Sequence, residues 1–176
     1  KNFRLFTLMN NVADVMKHKT TEKNLAFSQE TEESIPDNLM GDSLRLKQVL
    51  YNLVANAIKF TEKGGIALVT KAIEQNKKES VISFMVNDTG IGIPKDKLEL
   101  IFSSFSQASS DMTRKFGGTG LGLTISNQIL VLMNSRLELE SEIGKGSEFS
   151  FSIDVKFSNE ESENNISSQK ISSNII

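Results

Sequence analysis

The chain has 176 residues, a formal net charge of −2 at pH 7, no cysteine and one histidine. This length suits one domain with a real core. The balanced charge argues against a nucleic-acid or membrane surface, and the lack of cysteine excludes disulfides and thiolate metal sites. No apolar run reaches the roughly 18 residues of a membrane span, so we expect a soluble, monomeric, cytoplasmic piece of a longer protein.

The first third of the chain predicts two helices separated by two short strands. Apolar residues at helical spacing indicate the opening helix, and an acidic loop with Pro36 separates the strands. The second helix has a capping residue at its start and a Gly-rich stop after it. In order, these elements are a helix over 3–18, strands over 25–29 and 39–40, and a helix from Asp42 or Ser43 to about Phe60.

The rest of the chain predicts two hairpins with helices between them. The elements are strands 66–73 and 81–87, a short helix 94–102 opened by Pro94, a mobile loop 103–118, a helix 120–133, and strands 137–141 and 148–155. Apolar and polar residues alternate in the last two strands, which predicts a sheet with one buried face. Ser, Asn and Glu dominate residues 158–176, which indicates a disordered linker.

One face of the predicted helix 42–60 is polar. At about 100° per residue, the following side chains share a sector of roughly 80°: Arg45, Gln48, Asn52, Asn56 and Lys59. From periodicity alone a solvated face is an equally good interpretation. Asparagine is a poor helix former, however, and its amide oxygen can bind Mg²⁺ beside phosphates. Asn56 is the better metal ligand, and Lys59 offers positive charge to the same phosphates.

A second polar segment, residues 88–94, follows a predicted strand and reads Asp-Thr-Gly-Ile-Gly-Ile-Pro. A carboxylate at a buried strand end needs hydrogen-bond donors, and the exocyclic amine of adenine would supply one to Asp88. Gly90 and Gly92 would let the backbone approach a flat ring. The alternative is that Asp88 only caps the turn, and it would be preferred if this segment stood alone.

The third segment is a glycine run from Gly117 to Gly122 that leads into a predicted helix. Unpaired N–H groups and the positive end of a helix bind anions there. The run matches neither the Walker A pattern nor a dinucleotide fingerprint. Arg114 and Lys115, just upstream, could reach a terminal phosphate, although without the glycines they would be ordinary solvated side chains. Together, the three segments predict an ATP site.

In this order, the motifs resemble the catalytic ATP-binding domain of sensor histidine kinases, in the GHKL superfamily with gyrase, Hsp90 and MutL. The matching segments are the asparagine box at 42–61, the glycine boxes at 88–94 and 114–123, the phenylalanine box at 101–107 and a late glycine turn at 144–147. The resemblance implies a catalytic domain over 1–157 with the Bergerat fold. That fold is a two-layer α/β sandwich, with helices on one face of a mixed, mostly antiparallel sheet and an ATP lid.

The resemblance also implies a function and residue roles. The domain would bind Mg-ATP and transfer its γ-phosphoryl group to a histidine on a separate dimerisation domain in two-component signalling. By analogy Asn56 and Asn52 bind Mg²⁺ and phosphate, and Asp88 binds the adenine amine. The catalytic candidates are Asn56, Lys59 and Arg114. Further nucleotide contacts are expected at Gly90, Gly92, Ile93, Phe102, Phe105, Lys115, Gly118, Thr119, Gly120, Leu121, Gly122 and Leu123.

The chain departs from the family pattern at three places. Asn134-Ser135 stands where a glycine pair is usual, although asparagine tolerates left-handed backbone, and Ser103-Ser104 replaces Glu-Pro. His18 lacks the acidic residue and the proline that follow the family's phosphoacceptor, so we expect it to be a solvent-facing helix residue. The expected partners are therefore acceptor helices elsewhere in the same parent protein, and a downstream receiver domain or a response regulator.

Two other functions compete with phosphotransfer. In an ATPase of the chaperone or mismatch-repair kind, the resemblance implies a glutamate base where this chain has Asn52, and an amide cannot take a proton from water. A non-catalytic nucleotide-binding module, a degenerate kinase, ranks second because the motif residues look intact.

Overall fold

The computed structural model describes residues 1–102 and 122–159. In chain order, their helices and strands are β1 (Asn2–Arg4), α1 (Leu5–Glu22), β2 (Ala26–Thr31), β3 (Asn38–Met40), α2 (Ser43–Lys59), β4 (Gly65–Gln75), β5 (Glu79–Asp88), α3 (Gly122–Leu132), β6 (Glu138–Glu142) and β7 (Gly146–Phe157). Two short 3₁₀ turns, Lys95–Lys97 and Leu100–Phe102, follow β5.

In this part of the chain the strands form one seven-stranded sheet. The order is β1-β3-β7-β5-β4-β2, and β6 also pairs with β7. The β2–β4 pair is parallel and the other pairs are antiparallel. The prediction of a mixed, mostly antiparallel sheet is confirmed.

The core lies between one face of the sheet and the helices. Alternate residues of β4, β5 and β7 are buried, as period-two side-chain geometry requires. The rings of Phe84 and Phe151, paired across β5 and β7, stack with centroids 5.1 Å apart. Buried residues of α1, α2 and α3 join the same core. The predicted two-layer sandwich is therefore confirmed.

Helix α2 has the start and the end that its sequence predicts. The Asp42 carboxylate accepts the Arg45 N–H at 3.2 Å, which satisfies one of the free donors of the first turn. At the other end the Thr61 hydroxyl donates to the Ala57 carbonyl at 2.7 Å. The helix buries the face that carries Leu46, Val49, Leu50, Leu53, Val54, Ala57 and Ile58.

Two of the predicted elements differ in the structure. Helix α1 runs to Glu22 rather than residue 18, and a strand, β1, precedes it. The predicted helix 94–102 is wrong: Pro94 has an extended ψ of 142° and precedes the first 3₁₀ turn instead of opening an α-helix. The predicted loop 103–118 lies outside the described residues.

The late turns follow the predicted chemistry. Asn134 adopts a left-handed φ of 56°, so the asparagine does hold the turn where the family has glycine. Strand β7 ends at Phe157, and residues 160–176 of the predicted linker lie outside the described part, so the domain boundary stays a prediction. No helix in the described part is long and apolar enough to cross a membrane.

Candidate nucleotide site

Asp88 ends the central strand β5, between Ile66 of β4 and Ser147 of β7. Its side chain is buried, and one carboxylate oxygen accepts the Gly90 N–H at 2.8 Å. Burial raises the pKa of the Asp88 carboxyl above its ordinary value, and the N–H groups of Gly90 and Ser147 partly oppose that rise. The turn-capping bond is therefore present, but a carboxylate has further lone pairs. The adenine contact stays a prediction.

The two glycines of the turn approach other main chain closely. A Cβ added at Gly90 would lie 2.4 Å from the Phe60 carbonyl oxygen, at the end of α2. Gly92 has a φ of +72°, and a Cβ there would lie 2.0 Å from the Glu142 carbonyl oxygen in β6. These positions need glycine for packing within the protein. Whether they also approach a ligand stays a prediction.

Two hydroxyl groups, which no sequence motif assigns to this role, hold this turn in place. Thr89 Oγ1 accepts the Gly65 N–H at 3.0 Å, and Ser141 Oγ accepts the Ile93 N–H at 2.8 Å. Ser141 also donates to the Gly146 carbonyl at 2.9 Å. The predicted nucleotide contact Ile93 has its side chain in the core. Thr89 stands inside the motif, but the sequence gives no signal for Ser141.

The predicted polar stripe of α2 is half-buried at its functional end. Asn52, Asn56 and Lys59 all have intermediate exposure. The Asn56 side chain makes no hydrogen bond to any residue in 1–102 or 122–159. The Lys59 ammonium lies 5.7 Å from the centroid of the Phe60 ring, within cation–π range. The stripe is therefore not a fully solvated face, and no described residue occupies the donors and acceptors of the Asn56 side-chain amide.

Asn52 contacts the helix that follows the glycine run. Its Nδ2 donates to Ser126 Oγ of α3 at 3.2 Å, and Ser126 is fully buried. Leu123 of the same helix belongs to the core, whereas a Cβ at Gly122 would meet no atom of the described residues within 4 Å. No sequence pattern marks Ser126, since only the fold brings the two helices together.

The structure joins the Asp88 turn, and the helix α3 that follows the glycine run, to α2. The Ile91 N–H donates to the Phe60 carbonyl at 3.3 Å, which joins the Asp88 turn to the end of α2. The Asn52–Ser126 bond joins α2 to the start of α3. Several predicted contacts lie outside the described residues: Phe105, Arg114, Lys115, Gly118, Thr119, Gly120 and Leu121, with the side chain of Phe102.

The donor set on α2 suits a hard cation. Mg²⁺ prefers oxygen ligands and in nucleotide sites takes several of them from phosphates. Asn52 and Asn56, both half-buried residues, stand one helical turn apart on one face of α2. Neutral amides add no further negative charge to a triphosphate, so these residues fit the group.

The sheet, the single helical layer and the position of α2 define a class of protein, the ATP-binding catalytic domains of histidine kinases and their relatives. Residues 41–156 match the family described as "Histidine kinase-, DNA gyrase B-, and HSP90-like ATPase". The chain belongs to this family, and the resemblance stated from the motifs is confirmed.

Similar proteins of known name are sensor kinases. The chain is 36% identical over 153 residues to the signal transduction histidine-protein kinase BarA of Escherichia coli. It is 37% identical over 157 residues to the autoinducer 2 sensor kinase/phosphatase LuxQ of Vibrio vulnificus. These alignments cover 87% and 89% of this chain but only 17% and 18% of the relatives. The chain thus spans under a fifth of their length.

Solved structures give the same class. Full-length ShkA in complex with AMPPNP aligns with a TM-score of 0.74 and 32% identity, over 86% of this chain and 30% of that one. The catalytic domain of histidine kinase ThkA aligns with a TM-score of 0.67 and 31% identity, over 88% of this chain and 96% of that one. The second alignment spans nearly the whole neighbour, so the described fold matches a complete catalytic domain.

The single histidine belongs to none of the segments that form the candidate site. His18 is on α1 with a side chain that is 79% exposed, and its Nε2 lies 3.3 Å from Glu22 one turn later. The expectation of a solvent-facing helix histidine is confirmed.

Proposed function

We propose that this domain binds Mg-ATP beside α2 and donates the γ-phosphoryl group to a histidine on a separate helical domain of the same parent protein. The observation that carries the proposal is the position of α2, whose end bonds the Asp88 turn through Phe60 and whose middle bonds α3 through Asn52. The family match over 41–156 supports ATP as the nucleotide.

Each residue has a role in this proposal. The Asp88 carboxylate accepts a hydrogen bond from the adenine amine. Lys59 and Arg114 neutralise phosphate charge, and the amide oxygens of Asn56 and Asn52 hold Mg²⁺ against the phosphates. Bound there, the ion would offset the negative charge that develops on the β- and γ-phosphate oxygens.

The chemistry needs little from this chain beyond positioning. An imidazole nitrogen of the acceptor attacks the γ-phosphorus, the P–N bond forms, the bond to the β,γ-bridging oxygen breaks, and ADP leaves. Asn52 carries an amide and cannot act as a general base for water. This residue therefore favours transfer to an acceptor over rapid hydrolysis.

In this proposal the phosphoacceptor histidine lies outside this sequence, and so does the receiver domain or response regulator that takes the phosphoryl group next. Relatives at 38% identity include the hybrid signal transduction histidine kinase B of Dictyostelium discoideum. That name supports acceptor helices in the same polypeptide and a receiver domain downstream, or a separate response regulator. Since ATP is the donor, we place the domain in the cytoplasm.

The deciding experiment mixes the 176-residue chain with the acceptor helices of its parent protein and radiolabelled ATP. We expect an acid-labile, base-stable phosphohistidine on the acceptor, and none on an acceptor whose histidine is replaced by glutamine. Bound nucleotide without transfer would indicate the non-catalytic module. Rapid phosphate release without the acceptor would indicate an ATPase.

A further inference from the structure

A buried hydroxyl of α3 bonds one of the two asparagines of the site. Ser126 is 0% exposed, and its Oγ lies 3.2 Å from Asn52 Nδ2 across 74 residues of sequence. The serine is four residues after Gly122, where α3 begins. It thus connects the helix that follows the glycine run to the polar stripe of α2.

In the structure the nitrogen end of the Asn52 amide faces α3, because Nδ2 donates to Ser126 Oγ. The nitrogen of an asparagine side chain only donates hydrogen bonds, and the oxygen only accepts them or coordinates cations. With the nitrogen held against Ser126, the oxygen lies on the other side of the amide carbon. A rotated amide would place the nitrogen where a cation needs an oxygen, and that orientation would repel Mg²⁺.

We propose that Ser126 is a positioning residue for Mg-ATP: it holds the Asn52 amide with its oxygen toward the metal. The inference rests on the proposed function, since it assigns the Asn52 oxygen to Mg²⁺. Removing a group that hydrogen-bonds a metal ligand and orients it typically lowers metal affinity by 10–100-fold. The effect of Ser126 should therefore depend on Mg²⁺, unlike a general packing effect.

The test compares Ser126→Ala with the wild-type 176-residue chain by calorimetry, titrating ATP once with excess Mg²⁺ and once with EDTA. We expect the ATP affinity of the variant to fall about tenfold with Mg²⁺ and to stay within about twofold of wild type in EDTA. Equal losses in both titrations, or no loss, would overturn the proposal. If the wild-type chain itself binds no nucleotide, the proposed function fails instead.

Ser135→Ala is the matched control. Its hydroxyl donates to the Ser152 carbonyl at 2.6 Å, just beyond the other end of α3, so the variant also loses one hydroxyl hydrogen bond near this helix. We expect no change in the ratio of the two affinities. A change as large as that of Ser126→Ala would mean that any loosening of α3 has the same effect, and would overturn the specific role.

Two further variants separate orientation from folding. Ser126→Cys keeps the buried volume but offers only a weak acceptor, so it should show the same Mg²⁺-dependent loss if Ser126→Ala fails to fold. Asn52→Ala combined with Ser126→Ala should lose no more Mg²⁺-dependent affinity than Asn52→Ala alone, because Asn52→Ala already removes the oxygen that Ser126 orients. Additive losses would contradict an action of Ser126 through Asn52.

Discussion

The ammonium group of Lys23, just past the end of α1, lies 2.7 Å from the Ile58 carbonyl oxygen and 3.2 Å from that of Thr61. These carbonyls belong to the C-terminal end of α2 and the residues that follow it. The last carbonyls of a helix lack donors within the helix, and a cation there also opposes the helix dipole. Lys23 therefore closes the end of the helix that carries Asn56 and Lys59.

Replacing Lys23 with methionine keeps the unbranched stem and removes both hydrogen bonds. We expect the free energy of unfolding to fall by about 1–2 kcal/mol, measured by urea denaturation. Lys17→Met, at an exposed position of α1, is the control and should change it by less than about 0.5 kcal/mol. Equal unfolding midpoints for Lys23→Met and the wild type would contradict this role.

Gly92 should tolerate no side chain, for a reason internal to the protein. Its φ of +72° and the 2.0 Å separation between an added Cβ and the Glu142 carbonyl oxygen both oppose alanine. We expect Gly92→Ala to lower the free energy of unfolding by roughly 2 kcal/mol or more. Gly122→Ala, where a Cβ would meet no atom of residues 1–102 or 122–159 within 4 Å, should be neutral or stabilising when both variants are compared by thermal unfolding. Similar losses in both variants would show that the contact with β6 is unimportant.

Asp88→Asn should separate stability from nucleotide binding. The variant removes a buried charge but keeps an oxygen that can accept the Gly90 N–H. We therefore expect a higher melting temperature at pH 7. We also expect at least about a tenfold loss of ATP affinity, about 1.4 kcal/mol, because a neutral acceptor makes weaker hydrogen bonds than a carboxylate. Unchanged affinity would remove Asp88 from the adenine site.

The stability gain of Asp88→Asn should depend on pH with a defined sign. Burial places the folded-state pKa of Asp88 above the ordinary value of 3.8. The favourable contribution of the protonated group is thus complete below that ordinary value and is lost as pH rises through the folded-state pKa. The difference in melting temperature between variant and wild type should be small near pH 3.5 and should grow toward pH 7. A difference that shrinks over this range would show that the N–H bonds of Gly90 and Ser147 outweigh burial.

Local signals account for what the sequence predicted well. Helix α2 is determined by signals between residues close in sequence: its cap Asp42, its apolar face and the stop after Phe60. Its observed bounds agree with the predicted ones to within one residue. The hairpin strands β4 and β5 follow from alternation. Pro94 was misleading because an extended ψ, rather than a helical one, follows its fixed φ.

The features that the sequence missed depend on contacts between distant residues. Strand β1 has three residues and forms by pairing Asn2 with Met40 across the sheet edge, so no periodicity reveals it. The Lys23 bond to Ile58 spans 35 residues and the Asn52 bond to Ser126 spans 74. At Gly92 the sequence predicted a close approach to a ligand ring, which stays a prediction, and only the fold shows the close approach to Glu142.

Asn56→Asp tests the metal assignment most directly, since it changes charge with almost no change of shape. Asn56 is half-buried, and its side chain makes no hydrogen bond to the described residues, so the substitution breaks none of those and should leave the melting temperature within a few degrees. A carboxylate about 4 Å from a phosphate charge is repelled by about 4 kcal/mol at an effective dielectric constant of 20. Mg²⁺ bound between the two groups would offset part of this repulsion.

We therefore expect calorimetry to show at least about a 100-fold loss of Mg-ATP affinity, which is about 2.7 kcal/mol, and a smaller loss for ADP, which carries less phosphate charge. Asn11→Asp, at an exposed position of α1, changes the net charge by the same amount and should bind normally. If Asn56→Asp also binds Mg-ATP with near-normal affinity, Asn56 faces neither the ion nor the phosphates, and the ligands must come from another face of α2.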